Sequence, residues 1–191
     1  HYQAALDDLV TNTYDIVVQG RCGESTFEAR ERMLFGAGAM SFDVPQPRLW
    51  WPKGRGPANL YECQVRLLRN GQDIDYLSFR HGIRTVHLER TSVTDPYGHG
   101  EFCFFINGEK VFVLGSNWVP VDAFHSRDAS RIPAIIDLAD EIGINAFRCW
   151  GGNVYEDDLF YDLCDEKGFL IWQDFTMACG LYPQDADFAA Q

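Results

Sequence analysis

The chain has 191 residues, 46% hydrophobic and 14% aromatic, which is material for one large domain or two small ones at roughly 150 residues per domain. With 28 acidic against 16 basic residues the net charge is −12, a field that repels phosphate backbones and anionic lipid, so neither nucleic acid nor membrane is an expected partner. No apolar run reaches the roughly 18 residues of a membrane-spanning helix, and His1-Tyr2-Gln3 lacks a signal-peptide layout, so the chain reads as soluble with no compartment fixed. The six cysteines include no C-x-x-C pair and read mostly as free thiols.

The first ninety or so residues carry β-rich runs between turn formers and no long helical period. Tyr14–Gln19 is a strand. Tyr61–Leu68 and Gln72–Phe79 flank Asn70-Gly71, the dipeptide of a type I′ turn, and form a hairpin. A further strand is expected over Arg84–Leu88. Pro45–Pro52 and the loop to Pro57 contain prolines that cannot donate to a ladder, so this stretch is an edge or a connection. Five to seven short strands in this length predict an immunoglobulin-like β-sandwich over residues 1–94.

Beyond Thr94–Gly98 the pattern changes. Glu101–Ile106, Asn107-Gly108 and Lys110–Gly115 predict a second hairpin, its outgoing strand ending at Asn117-Trp118. A helix follows, capped by Ser130, with Pro133 in the first turn, an apolar face of Ile132, Ile135, Ile136, Ala139 and Ile142, and Gly143 as its stop. Ile144–Trp150 is a strand. A second helix opens on Glu156-Asp157-Asp158, buries Leu159, Phe160, Leu163 and Cys164, and closes at Lys167-Gly168. Phe169–Asp174 is a third strand, and the alternation implies right-handed crossovers and a parallel sheet over 95–191.

Ligands of parallel α/β sheets meet the carboxyl ends of the strands. Those ends carry Asn117, Trp118 and Asp122, then Arg148 and Trp150, then Gln173 and Asp174. An arginine, acids, amides and indoles around one opening are what a sugar requires: polar forks for hydroxyls and flat faces for C–H bonds. Each also has a plain structural reading. Asp174 can be a cap, Trp118 core, and Arg148 a structural ion pair; Trp172 is expected to point away and pack.

The run Asn145–Phe175, with Arg148-Cys-Trp-Gly-Gly152, Tyr155-Glu-Asp157, Phe160-Tyr-Asp-Leu-Cys-Asp165 and Trp172-Gln-Asp-Phe175, resembles the signature of glycoside hydrolase family 2 in its β-mannosidase-like branch. Gly115–Phe124 is similar to that family's first barrel strand and Pro47–Pro52 to a stretch of its sandwich domain, so the resemblance runs from about residue 40 to residue 183. It implies an immunoglobulin-like sandwich followed by a (β/α)8 TIM barrel, incomplete here: a barrel takes about 250 residues, and the chain has room for three strand–helix units. It implies retaining hydrolysis of terminal β-mannosides, in which one carboxyl protonates the leaving oxygen and a second, about 5 Å away, attacks the anomeric carbon. No Asn-Glu pair, the family's acid/base signature, occurs in these residues, so both catalytic carboxylates are expected beyond Gln191 and the chain is read as an inactive fragment. Arg148 would orient the nucleophile; Trp150, Asn117 and Asp174 would line the glycone pocket, with Trp118 and Asp122 near strand one.

No cofactor or metal is expected, and carbohydrate is the expected partner. Gly36-x-Gly38 lacks the third glycine of a dinucleotide loop, and His99-Gly-Glu101 reads as a solvated turn. Two other functions stay open: a non-catalytic sandwich acting in carbohydrate binding or interaction, and another branch of the same family, such as an exo-glucosaminidase, galactosidase or glucuronidase. Three barrel strands leave an open edge, from which self-association is expected.

Overall fold

The computed structural model describes residues 1–91, 97 and 100–190. The turn expected at Thr94–Gly98 and the His99 of His99-Gly-Glu101 lie outside them, apart from Tyr97. The described chain holds about twice as much β-strand as helix and forms two compact units, His1–Trp50 with Asn59–Arg84, and Trp51–Ala58 with Thr85–Gln191.

In the first unit, β1 (Tyr2–Gln3) pairs with β4 (Ala37–Gly38), while β2 (Tyr14–Cys22), β3 (Ser25–Met33), β5 (Tyr61–Arg69) and β6 (Gln72–His81) form an antiparallel sheet in the order β3-β2-β5-β6. The β5–β6 hairpin turns at Asn70 (φ 52°) and Gly71 (φ 82°), the two positive angles its dipeptide supplies. Tyr14, Ile16 and Met33 form one buried cluster and Cys22, Tyr61 and Cys63 another. The buried Tyr61 hydroxyl bonds Ser25 Oγ at 2.6 Å and accepts from Arg48 N at 2.9 Å, so its one polar atom is satisfied. Trp50, 1% exposed, donates its backbone N–H to Ile83 O and lies against Gly82, where a Cβ would stand 2.9 Å from the indole. The Pro45–Pro52 stretch is a connection rather than a ladder strand.

In the second unit, the strand read over Arg84–Leu88 runs instead as β7 (Val86–Arg90) and pairs with β8 (Phe102–Ile106), which pairs with β9 (Glu109–Val111). The outgoing strand of that hairpin does not continue to Trp118. It ends at Val111, and β10 (Gly115–Trp118) belongs to a different, parallel sheet. Asn145 explains the break: its side chain accepts from Leu114 N at 2.8 Å and donates to Phe112 O at 2.9 Å, taking up the backbone groups that leave the ladder.

β10 then leads through a 3-10 turn at His125–Arg127 into α1 (Asp128–Glu141), β11 (Ala146–Cys149), α2 (Asp158–Lys167) and β12 (Leu170–Gln173); a short α3 (Ala186–Ala189) comes last. The order β10-β11-β12 is parallel throughout. α1 begins before Ser130, because the 3-10 turn and the 2.6 Å bond between His125 Nδ1 and Asp128 start it two residues earlier. Ser130 is therefore not a cap but donates to Arg127 O, and Pro133 lies in the helix interior. Ile142 falls past the helix end and is exposed, as is much of Leu159. α2 closes on Gly168 in the left-handed region, φ 78°.

The core of this unit lies between the parallel sheet and its helices. Phe160 is fully buried, its ring centroid 4.5 Å from Trp118 and 6.1 Å from Phe147, with Ile132, Ile136, Cys149, Cys164 and Phe169 completing the cluster. Lys53 of the Trp51–Ala58 loop pairs with Asp140 at the end of α1, and Lys167 reaches Asp137 at 3.0 Å and Asp140 at 3.2 Å. The two ammonium groups hold the Asp140 carboxyl below the usual carboxylate range.

Candidate functional site

Side chains alternate across a strand, and register partners in neighbouring strands share a face. Asn117, Arg148 and Trp172 are partners in β10, β11 and β12 and therefore share the face turned away from the helices; Trp118, Cys149 and Gln173 share the other. Arg148 sits at the centre of the first set. Its NH1 donates to Asn117 Oδ1 at 3.2 Å, and its Nε and NH2 fork onto Asp174 at 3.4 and 2.6 Å. Arg148 is 45% exposed, so the guanidinium is held by its partners yet open to solvent. A planar fork fixed on two sides presents its remaining N–H groups in one direction, which suits a carboxylate or a sugar hydroxyl.

Asp174 lies just past β12 and is tied down twice more: its N–H donates to Cys149 O at 3.1 Å, and its Oδ2 accepts from Gly151 N at 3.3 Å. Gly151 and Gly152 are needed for close approach. A Cβ at 151 would stand 2.4 Å from Phe175 O and 3.3 Å from Asp174 Cβ, and one at 152 would stand 2.1 Å from the six-membered ring of Trp150. Trp150 is anchored by its N–H to Trp118 O at 3.2 Å. Three sequence candidates, Asn117, Arg148 and Asp174, are thus hydrogen-bonded together, with Trp150 on the loop that meets Asp174.

The other two stand elsewhere. Trp118 is 3% exposed on the helix side, packed against Phe147 and Phe160, and its Nε1 donates to Glu156 at 2.8 Å. Asp122 accepts from Phe124 N at 2.9 Å and pairs with Arg131 at 3.0 Å, which engages it in its own turn and the start of α1. Trp172 does not point away from the face that bears Arg148. It shares that face by register, half exposed, and its ring stacks on Phe102 at 6.0 Å and meets Phe104 edge-on at 6.2 Å. Gln173 turns to the helix side and accepts from the Tyr161 hydroxyl at 3.0 Å.

Sequence reasoning missed Asn153 and Glu156 as site supports; the signal was the polar pair flanking Val154-Tyr155 in the strand-to-helix loop. Beneath the cluster, burial first, and then the charges of Glu156 and Asp174, push the Cys149 thiol up to about 11, so it is protonated and inert at neutral pH. All six cysteines are unpaired, and Cys179 alone of them is exposed. Among the described residues no group of three or more His, Cys, Asp or Glu is placed to hold a metal ion, and no helix is long and apolar enough to cross a membrane.

Comparison with known proteins gives this cluster a context. Residues 6–84 match the family model described as glycosyl hydrolases family 2. Over 150 residues the chain is 44% identical to β-mannosidase B of Aspergillus clavatus, covering 78% of this chain and 17% of that protein. Over 140 residues it is 41% identical to the β-mannosidase of Capra hircus, covering 73% of this chain and 16% of that protein. The crystal structure of a β-D-mannosidase from Dictyoglomus thermophilum superposes with a TM-score of 0.82 at 37% identity, over 93% of this chain and 22% of that one. A Bacteroides uniformis β-glucuronidase superposes with a TM-score of 0.65 at 17% identity, a likeness of fold alone. The chain spans about one-sixth of the length of the relatives it matches in sequence. Residues 6–84 thus carry the domain of glycosyl hydrolases family 2, and most of the chain is similar, at above 40% identity, to part of two β-mannosidases.

Proposed function

We propose that the chain is part of a retaining exo-acting β-mannosidase, that its first unit belongs to an immunoglobulin-like sandwich, and that β10-α1-β11-α2-β12 opens a (β/α)8 barrel. The observation that carries the reading is the Arg148 fork on Asp174 and Asn117, contributed by three adjacent parallel strands at their carboxyl ends. In such a hydrolase a cation beside the nucleophile keeps that carboxylate ionised and aimed at the anomeric carbon. Arg148 is the cation for this task. Asn117 and Asp174 hold its plane and offer polar atoms to the glycone hydroxyls, and Trp150 supplies an apolar face for the ring.

Retaining hydrolysis needs two carboxylates, one to transfer the proton and one to capture the sugar, and the test belongs on the complete protein because this chain matches about one-sixth of the length of its relatives. Likeness to the β-mannosidases at 37 to 44% identity favours the mannoside over the glucuronide, whose structural neighbours share only the fold. The test is a panel of aryl β-glycosides on the complete protein. Highest kcat/KM with the β-mannoside is the expected result; preference for the glucuronide, galactoside or glucosaminide moves the chain to another branch. Hydrolysis of none of them leaves a carbohydrate-binding or interaction module.

A further inference from the structure

The chain leaves the sheet at Cys149 and crosses a short loop before α2 begins at Asp158. That loop is closed on itself by polar contacts. Asn153 N donates to Trp150 O at 3.0 Å, Asn153 Oδ1 accepts from Val154 N at 2.8 Å, and Asn153 itself is 8% exposed. Asn153 Nδ2 donates to Glu156 Oε1 at 3.3 Å, and the same oxygen accepts from Trp118 Nε1 at 2.8 Å. Trp118 in turn holds Trp150 through its backbone carbonyl. One half-buried carboxylate oxygen therefore joins the turn that follows Trp150 to the buried indole of the strand that anchors it. Hydrogen bonds to an ionised acceptor in a partly desolvated place are about twice as strong as neutral ones, and the geometry of this loop depends on them. The Trp150 ring lies against Gly152 of that loop.

We propose that Glu156 is a positioning residue that fixes the 150–157 loop through Trp118 and Asn153 and so aims the Trp150 indole at the sugar ring. This rests on the glycosidase reading above. An indole face binds ground state and transition state alike, so misaiming it raises KM and leaves kcat in place.

The experiment uses the complete enzyme and its best aryl glycoside. Glu156→Leu, which keeps the bulk and removes the acceptor, is expected to raise KM about tenfold with kcat within about twofold. Glu156→Gln, which keeps a carbonyl for both donors, is expected to stay within about threefold of the parent. Trp150→Ala is expected to raise KM by at least as much as Glu156→Leu. The double variant is expected to be no worse than Trp150→Ala alone, because a residue acting through Trp150 has nothing left to position. An unchanged KM in Glu156→Leu, equal damage from Gln and Leu, or losses that add in the double variant would overturn the proposal. Should Glu156→Leu fail to fold, Trp118→Phe removes the same indole N–H while keeping an aromatic ring in the core, and an unchanged KM there overturns it equally. A parent enzyme that hydrolyses no glycoside marks the failure of the glycosidase reading, and the inference falls with it; an active parent with indifferent variants marks the failure of the inference alone.

Discussion

Replacing Gly151 by alanine tests whether the strand-end cluster is held as tightly as its geometry states. The added Cβ meets the Phe175 carbonyl oxygen at 2.4 Å, whereas carbon and oxygen pack at about 3.3 Å or more, so the 174–175 backbone has to retreat by about 0.9 Å. The obstacle is backbone, not the tip of a flexible side chain, and over-packing of this kind costs about 1–3 kcal/mol. For a chain of this size about 2 kcal/mol corresponds to a fall in Tm of about 4–8 °C. The displaced residue carries Asp174 with it, lengthening the 2.6 Å contact to Arg148 and the 3.3 Å contact to Gly151 N. Gly54→Ala is the control. Its φ of 82° strains any side chain, yet nothing lies within 4 Å of the new Cβ, so only the left-handed penalty of about 1 kcal/mol applies. Differential scanning calorimetry of the two variants beside the parent measures the difference. A Gly151→Ala protein melting within 1 °C of the parent, or no lower than Gly54→Ala, refutes the close packing on which the site argument rests.

Three further outcomes follow from the same contacts. Asp15 is 4% exposed and pairs with Arg32 at 2.7 Å and Arg30 at 2.9 Å; burial pushes its carboxyl up, but the two guanidinium groups outweigh burial and leave it below its ordinary 3.8. A depressed carboxylate stabilises the fold above its unfolded pKa and loses that contribution as pH falls through the folded value, so Asp15→Asn should unfold at lower temperature than the parent at pH 7, with the gap narrowing as the pH falls below the ordinary carboxylate value. Phe160→Ala empties the centre of the helix-side core, where the ring is fully buried, and should cost about 3–5 kcal/mol by urea titration; a loss below 1 kcal/mol would mean that the cluster is not packed as described. Titration with a thiol-specific disulfide reagent at pH 8 should find one fast thiol, the exposed Cys179, in the native chain and six in denaturant; fast reaction of Cys149, held near 11 by burial and two nearby carboxylates, would contradict its protonated state.

Much of the fold is legible in the residues because local chemistry decides it. Asn70-Gly71 and Asn107-Gly108 both take the positive φ angles their hairpins need, and Gly143 and Gly168 end their helices in the left-handed region. The parallel order of β10, β11 and β12 follows from the alternation of apolar periods. Other features answer to partners far along the chain. Phe112–Leu114 reads as a continuing strand until Asn145, 31 residues on, takes up Leu114 N. The start of α1 depends on a His125–Asp128 contact that an apolar-period argument cannot see.

The site divides in the same way. Asn117 and Trp118 cannot both face the opening, since neighbours in a strand point to opposite sides, and that alternation was available from the sequence alone. The same rule sets Trp172 beside Arg148. Which of Arg148's possible partners holds it was not available: Asp174 and Asp122 are both acids near strand ends, and only the fold shows that Asp122 is taken by Arg131 and Asp174 by Arg148.

The most direct measurement is the rate of aryl β-mannoside hydrolysis by the complete protein and by its Arg148→Gln variant, with Tm recorded for both. The expected result is an active parent and a loss of roughly 100-fold or more in kcat/KM for the variant, as follows when a preorganised charge beside the reacting centre is removed, without a matching loss of fold. A parent inactive on β-mannosides, or a folded variant as active as the parent, contradicts it.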